Sequence, residues 1–161
     1  MENDFTPRLR IRHGKREIFD PVRRKFVALT PEEGVRQQLI YFLVTVKKFP
    51  PALLQVETAL TYNNRSCRAD LVAYDRHARP LLIAECKAPE VKITQEVFEQ
   101  IARYNLAWQV PFLLVTNGLQ HFFCCFDAAQ NRYRFEEEMP EYGKLEIRNQ
   151  VWPSADEKGF F

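Results

Sequence analysis

The sequence predicts one α/β (α+β) domain: a central mixed sheet flanked by helices, with a β-hairpin extension in front. Three observations predict it. Thr30-Pro31-Glu32-Glu33 is a strong helix start. Leu81-Leu82-Ile83-Ala84 is an uninterrupted apolar run of the kind that fills a central strand. Asn117-Gly118, between two strand-like runs, marks a hairpin.

The elements follow in order. Over residues 8–29, Leu9 and Ile11 alternate with Arg8, Arg10 and Arg12, and His13-Gly14-Lys15 offers a turn, so a hairpin with one basic face is expected. Thr30 suits the N-cap, Pro31 the first helical position, and Glu33 closes a capping box. Val35, Leu39, Phe42, Leu43 and Val46 then recur at helical spacing, and Pro50-Pro51 ends the run. Strands are expected over 54–62, 68–74 and 80–87, the first two joined by a turn at Asn63-Asn64. A second helix spans about 94–108, with Val97, Ile101, Tyr104 and Trp108 on one face. Strands over 111–116 and 120–126 complete an αβββαβ order extended by one hairpin partner. The 161 residues thus divide into a basic β-rich extension (1–29), a core (30–127) and an acidic C-terminal segment (128–161) of one domain.

Composition excludes several classes. Hydrophobic residues make 46% and charged residues 27%, a globular balance rather than a disordered one. The net charge of +2 argues against a polybasic coat protein, but it conceals a gradient. Residues 1–29 carry eight basic and four acidic side chains, and residues 136–161 carry three basic and seven acidic ones. The stretch free of Asp, Glu, Lys and Arg, Tyr104 to Phe126, is interrupted by Gln109, Pro111, Asn117 and Gly118, so no membrane span is expected. The first residues lack the apolar core of a secretory signal. Cys67, Cys86, Cys124 and Cys125 form no CxxC pair and read as reduced core thiols, so a cytoplasmic location is expected.

Chemistry concentrates where the third strand ends. Its apolar run stops at Glu85-Cys86-Lys87, and strand alternation puts Ile83, Glu85 and Lys87 on one face. Asp70 lies opposite Glu85 if the second and third strands pair as a hairpin. Two carboxylates on adjacent central strands are costly to bury without a cation, and a divalent metal resolves that cost. The bland alternative is an ion pair, Glu85–Lys87 or Asp70–Arg68, at a solvated strand end. A helical wheel aligns Glu32 with Val35, Leu39 and Phe42 while Glu33 turns away. Glu32 is therefore either a site acid or a first-turn acid complementing the helix dipole. The face of Glu57 is open. Gln100 and Tyr104, four apart on the second helix, are neighbours.

These residues resemble a known family. Asp70 with Glu85-Cys86-Lys87, preceded by TPEEGVRQQL and followed by Gln100-x3-Tyr104, is similar to the PD-(D/E)XK nuclease superfamily. The stretches IAECKAP, QIARYN and LLVTNG bring it closer to the nuclease-like N-terminal domain of type I restriction enzyme R subunits. The resemblance covers about residues 20–127, and Ala69 stands where the superfamily name expects proline. It implies a restriction-endonuclease-like fold and Mg²⁺-dependent hydrolysis of DNA, with Mn²⁺ as a substitute. Asp70, Glu85 and the Cys86 carbonyl would hold metal, and Lys87 would serve catalysis beside Asp70 and Glu85. Glu32, Gln100 and Tyr104 would support the site. Arg8, Arg10, Arg12 and Lys15 would meet DNA phosphates. No GxxxxGK[ST] P-loop occurs, so an ATP-dependent motor, like any methylation subunit, would be another chain. Self-association stays open, as does a non-catalytic nucleic-acid-binding or regulatory role for the same fold.

Overall fold

The computed structural model describes residues 4–62, 65–106 and 108–150. Two sheets and three α-helices build it. β1 (Leu9–Arg12), β2 (Lys15–Asp20) and β3 (Lys25–Ala28) form an antiparallel three-stranded sheet. The basic hairpin expected from the sequence is thus present, and Lys25–Ala28 adds a third strand to it. The six-stranded sheet comprises β4 (Leu54–Tyr62), β5 (Arg65–Tyr74), β6 (Pro80–Cys86), β7 (Phe112–Thr116), β8 (His121–Asp127) and β9 (Arg132–Glu136), in that spatial order. Only the β6–β7 pair is parallel, which requires a crossover, and α2 (Gln95–Leu106) supplies it. The Asn63-Asn64 turn lies outside the described residues.

α1 (Pro31–Thr45) starts as its sequence dictates. Pro31 opens it, and the Thr30 hydroxyl accepts the Glu33 amide at 3.0 Å. Its buried face is rotated from the one the wheel suggested. Glu33, Val35, Arg36, Gln37, Leu39, Ile40 and Leu43 are buried, whereas Val46 caps the helix and is 46% exposed. Glu33 therefore turns inward, and the expectation that it turns away is corrected. Among the described side chains of α2 the deepest apolar one is Phe98, while Val97 and Ile101 of the expected buried face are half-buried.

The sheet separates two cores. On one side Val35, Leu39 and Leu43 of α1 pack with Leu71, Ala73, Leu82, Ala84, Cys86 and Leu114. On the other side Phe98 of α2 packs with Val72, Ile83, Leu113, Val115 and Cys124. β6 is covered on both faces, which accounts for its unbroken apolar run. The acidic C-terminal residues join this core. β9 is the sheet's edge strand, and α3 (Tyr142–Gln150) inserts Tyr142 and Leu145 on the α1 side.

Two features position the site. The first is a fork. β5 pairs with β4 from Ala73 out to Arg65, but its register with β6 runs only from Tyr74 to Leu71, opposite Ala84. β6 stays paired with β7 through Cys86. Asp70 and Glu85 are thus the first residues past the last β5–β6 pair. The second feature is the β5–β6 turn. The fully buried Asp75 carboxylate accepts the His77 and Arg79 amides, the Arg79 guanidinium and the Asn149 amide of α3.

Leu145→Ala tests whether α3 belongs to the core. The side chain is fully buried. Its truncation is expected to cost about 2–5 kcal/mol in urea unfolding. A loss below about 0.5 kcal/mol would show that α3 is only laid against the domain.

Candidate functional site

Asp70 stands at the fork with both oxygens engaged. Oδ2 accepts the Cys86 amide at 2.7 Å, so a side chain takes up that amide where the β5–β6 ladder has ended. Oδ1 accepts from the Arg36 guanidinium at 3.1 Å. Glu85 comes next to this pair of contacts, the first residue of β6 beyond the ladder. Burial first, then the charge of Asp70, pushes Glu85 up to about 8, while nearby Lys87 pulls it down. Glu85 therefore resists ionisation near neutral pH. Lys87 follows β6 directly, and its amide donates to the Thr116 carbonyl at 2.8 Å, which fixes it to the end of β7.

Behind this pair lies a network of charge. Arg36 is 4% exposed, and its Nη1 holds Glu33 while Nη2 holds Asp70. Burial would lower the guanidinium's pKa, but Glu33 and Asp70 outweigh it and hold it raised. Glu33 also accepts from Gln37 and from Arg23, which sits in the turn between β2 and β3 and binds Asp20 too. Glu57 of β4 adopts φ of 52°, a left-handed backbone uncommon outside glycine. Its carboxylate meets Arg68 at 3.0 Å, Arg23 at 3.4 Å and Arg36 at 3.7 Å. Six carboxylates (Asp20, Glu32, Glu33, Glu57, Asp70, Glu85) thus face four cations (Arg23, Arg36, Arg68, Lys87). The surplus is negative, and it is concentrated at Asp70 and Glu85.

The residues singled out from the sequence fall into three groups. Asp70, Glu85, the Cys86 backbone and Lys87 come together. Glu32 stands at their margin: its side chain is 46% exposed, it lies 3.9 Å from Arg36, and its charge adds to the upward push on Glu85. It is not the core-facing acid the wheel suggested, because Glu33 takes that place. The Cys86 thiol points into the α1-side core, where burial and Asp70 keep it protonated. Gln100 is on the exposed side of α2, and the Tyr104 side chain lies outside the described residues. The bland pairing of Asp70 with Arg68 does not form, since Arg68 binds Glu57 and Arg36 binds Asp70.

On the N-terminal sheet the basic residues divide. Arg8 lies over Phe19 and Phe26, and Arg10 lies over Phe26 while binding Glu17 at 3.2 Å. Arg12 and Lys15 face each other, exposed, across the β1–β2 turn.

Sequence reasoning missed Arg36, Arg23 and the inward Glu33. A signal for Arg36 was present. It shares a helical stripe with Leu39, Ile40 and Leu43, and an arginine on a buried stripe requires acids. Glu32 and Glu33 supply them at four and three residues' distance.

Residues 31–140 match the family model described as type I restriction enzyme R protein N terminus (HSDR_N). The chain belongs to this family. The match begins with α1 and ends after β9, so it contains Arg36, Asp70, Glu85 and Lys87. No curated protein and no solved structure matches the chain. The α+β architecture, with its six-stranded mixed sheet, is consistent with the nuclease-like fold expected of this restriction-enzyme family. Among the described residues, no helix is long and apolar enough to cross a membrane.

The raised Glu85 carboxyl has a stability consequence. Below pH about 4.5 it is protonated in both folded and unfolded chains and contributes nothing. Between about 4.5 and 8 the unfolded chain ionises while the folded one resists, so stability falls as pH rises. Glu85→Gln removes this penalty. Its stability in urea unfolding is expected to match the parent at pH 4 and to exceed it at pH 8, by on the order of 1–3 kcal/mol. Equal midpoints at pH 8 would show that Glu85 ionises freely.

Proposed function

We propose that this restriction R-protein domain is a divalent-metal-dependent nuclease module that hydrolyses phosphodiester bonds in DNA. The observation that carries the reading is the half-buried Asp70–Glu85 pair at the fork, with Lys87 beside it. The donor set suits a hard cation. Asp70 and Glu85 offer carboxylate oxygens, and the Cys86 carbonyl is a candidate for a further one. Mg²⁺ commonly takes one or two carboxylates and keeps several waters. The excess of acids over bases in the surrounding network points the same way.

When bound, Mg²⁺, or Mn²⁺ in its place, supplies polarisation of the phosphate and acidification of a water molecule. The remaining work falls to the chain itself. Glu85, whose carboxyl is held raised, must be ionised before both acids can serve as ligands. Lys87, held by its backbone to Thr116, orients the attacking water and meets charge developing on the phosphoryl oxygens. Glu32 is assigned a supporting role at the margin, and Gln100 and Tyr104 follow it only from the family motif. Arg12 and Lys15 give phosphate contacts that position DNA without reading its sequence. Arg8 and Arg10, already stacked on aromatic rings, contribute to that field from fixed positions. In this reading an ATP-dependent motor and a methylation subunit are separate partners.

One observation favours a second reading. Both Asp70 oxygens already have partners, and among the described residues no three His, Cys, Asp or Glu side chains cluster tightly enough to hold a metal. A module that binds DNA without cutting it would retain this arrangement.

Plasmid cleavage with Mg²⁺ or Mn²⁺ separates the two. Metal-dependent nicking is expected, lost by at least roughly 100-fold in Asp70→Ala and Lys87→Ala. No cleavage, with salt-sensitive DNA binding intact, would favour the binding module. Equal cleavage by parent and both variants would remove the assigned site.

A further inference from the structure

Arg36 occupies an unusual place. Its guanidinium is buried and bridges two elements, with Glu33 of α1 on one nitrogen and Asp70 of β5 on the other. Its Nε has no hydrogen-bond partner, so the two terminal nitrogens make all of its close contacts. The planar fork lets one side chain fix both acids in a set relation, which an ammonium cannot do. Glu33 is itself held from outside the α/β core, because Arg23 reaches it from the β2–β3 turn. Arg23 is anchored there by Asp20, whose carboxylate is fully buried and also accepts the Val22 and Arg23 amides. A continuous chain of charge-assisted contacts therefore runs Asp20–Arg23–Glu33–Arg36–Asp70 and ends on the Cys86 amide.

We propose that Arg36 is the positioning residue for the Asp70 carboxylate, and that the N-terminal sheet sets its position through Arg23 and Glu33. Arg36 touches no reacting atom in this scheme. It orients Asp70 so that one oxygen faces the Cys86 amide and the carboxylate stays beside Glu85. The N-terminal sheet is then part of the site, although residues 8–28 lie outside the family match. The inference deepens the nuclease reading but does not need cleavage or metal for its test.

The Cys86 amide reports directly on Asp70, which accepts its hydrogen bond. Amide hydrogen exchange is measured by NMR on the full chain, without metal, for the parent, Arg36→Lys and Arg23→Gln. Arg36→Lys keeps the charge and loses the fork. Exchange at Cys86 is expected to accelerate by about tenfold or more in Arg36→Lys and by a smaller factor in Arg23→Gln. The Lys87 amide, which donates to Thr116, is expected to keep its parent rate in both. An unchanged Cys86 rate in Arg36→Lys would overturn the positioning role. An unchanged rate in Arg23→Gln alone would overturn the link to the N-terminal sheet. Equal acceleration at Cys86 and Lys87 would also overturn it, by showing a merely structural loosening of β6. If Arg36→Lys does not fold, the Arg23→Gln comparison decides the proposal. A Mn²⁺ titration of the same variants adds a second readout. Tighter Mn²⁺ binding in Arg36→Lys would show that the guanidinium competes for Asp70 rather than orienting it. Absent cleavage by the parent would count against the nuclease reading and leave the exchange result standing.

Discussion

The site rests on one electrostatic imbalance. More carboxylates than cations are packed at the end of the central strands, and the charge of one of them, Asp70, acts on another, Glu85. A protein interior tolerates such groups only with partners, a retained proton or an added cation. The first is visible in the fold, where Arg36 and the Cys86 amide serve Asp70. The raised Glu85 carboxyl points to the second. The third is what the nuclease reading adds. The surrounding architecture follows from this demand: the fork that opens β5 from β6, the left-handed Glu57 whose exposed carboxylate meets three arginines, and the buried arginine on α1.

The N-terminal sheet takes on a different meaning in this light. By sequence it is a basic appendage ahead of the core. By structure its β2–β3 turn is wired to α1 through Arg23, while its β1–β2 turn carries the exposed cations Arg12 and Lys15. One small sheet therefore meets the acids of α1 at one turn and presents exposed positive charge at the other. The long-range field and the local geometry of the site come from the same element.

Much of the fold was legible because its signals are local. The Thr30-Pro31 cap, the Leu81–Ala84 run and the turn at Asn117-Gly118 each declare an element within a few residues. The meeting of Asp70 with Glu85 was legible for the same reason, since a hairpin register follows from strand alternation. The charge network was not. Its links join residues 23, 33, 57 and 70, and no periodicity connects them. The wheel for α1 failed on a physical point: it assumed that the buried face is the apolar face. In fact Glu33, Arg36 and Gln37 are buried as a mutually satisfied polar cluster. The docking of α3 was not legible for a similar reason, because a run of glutamates precedes the apolar side chains Tyr142 and Leu145 that dock it.

The turn at Asp75 carries a consequence for how this domain can vary. Side chains alternate along a strand, so the face on which Asp70 appears depends on the register of β5 against β6. That register is set by residues 75–79, locked by the Asp75 carboxylate and sealed from α3 by Asn149. None of these atoms belongs to the site. Inserting a single residue there, without a further bulge to absorb it, would nevertheless slide β6 against β5 and separate Glu85 from Asp70. The length of this distant turn is therefore as strict a requirement as the identity of either acid, and insertions in such a domain belong in other loops.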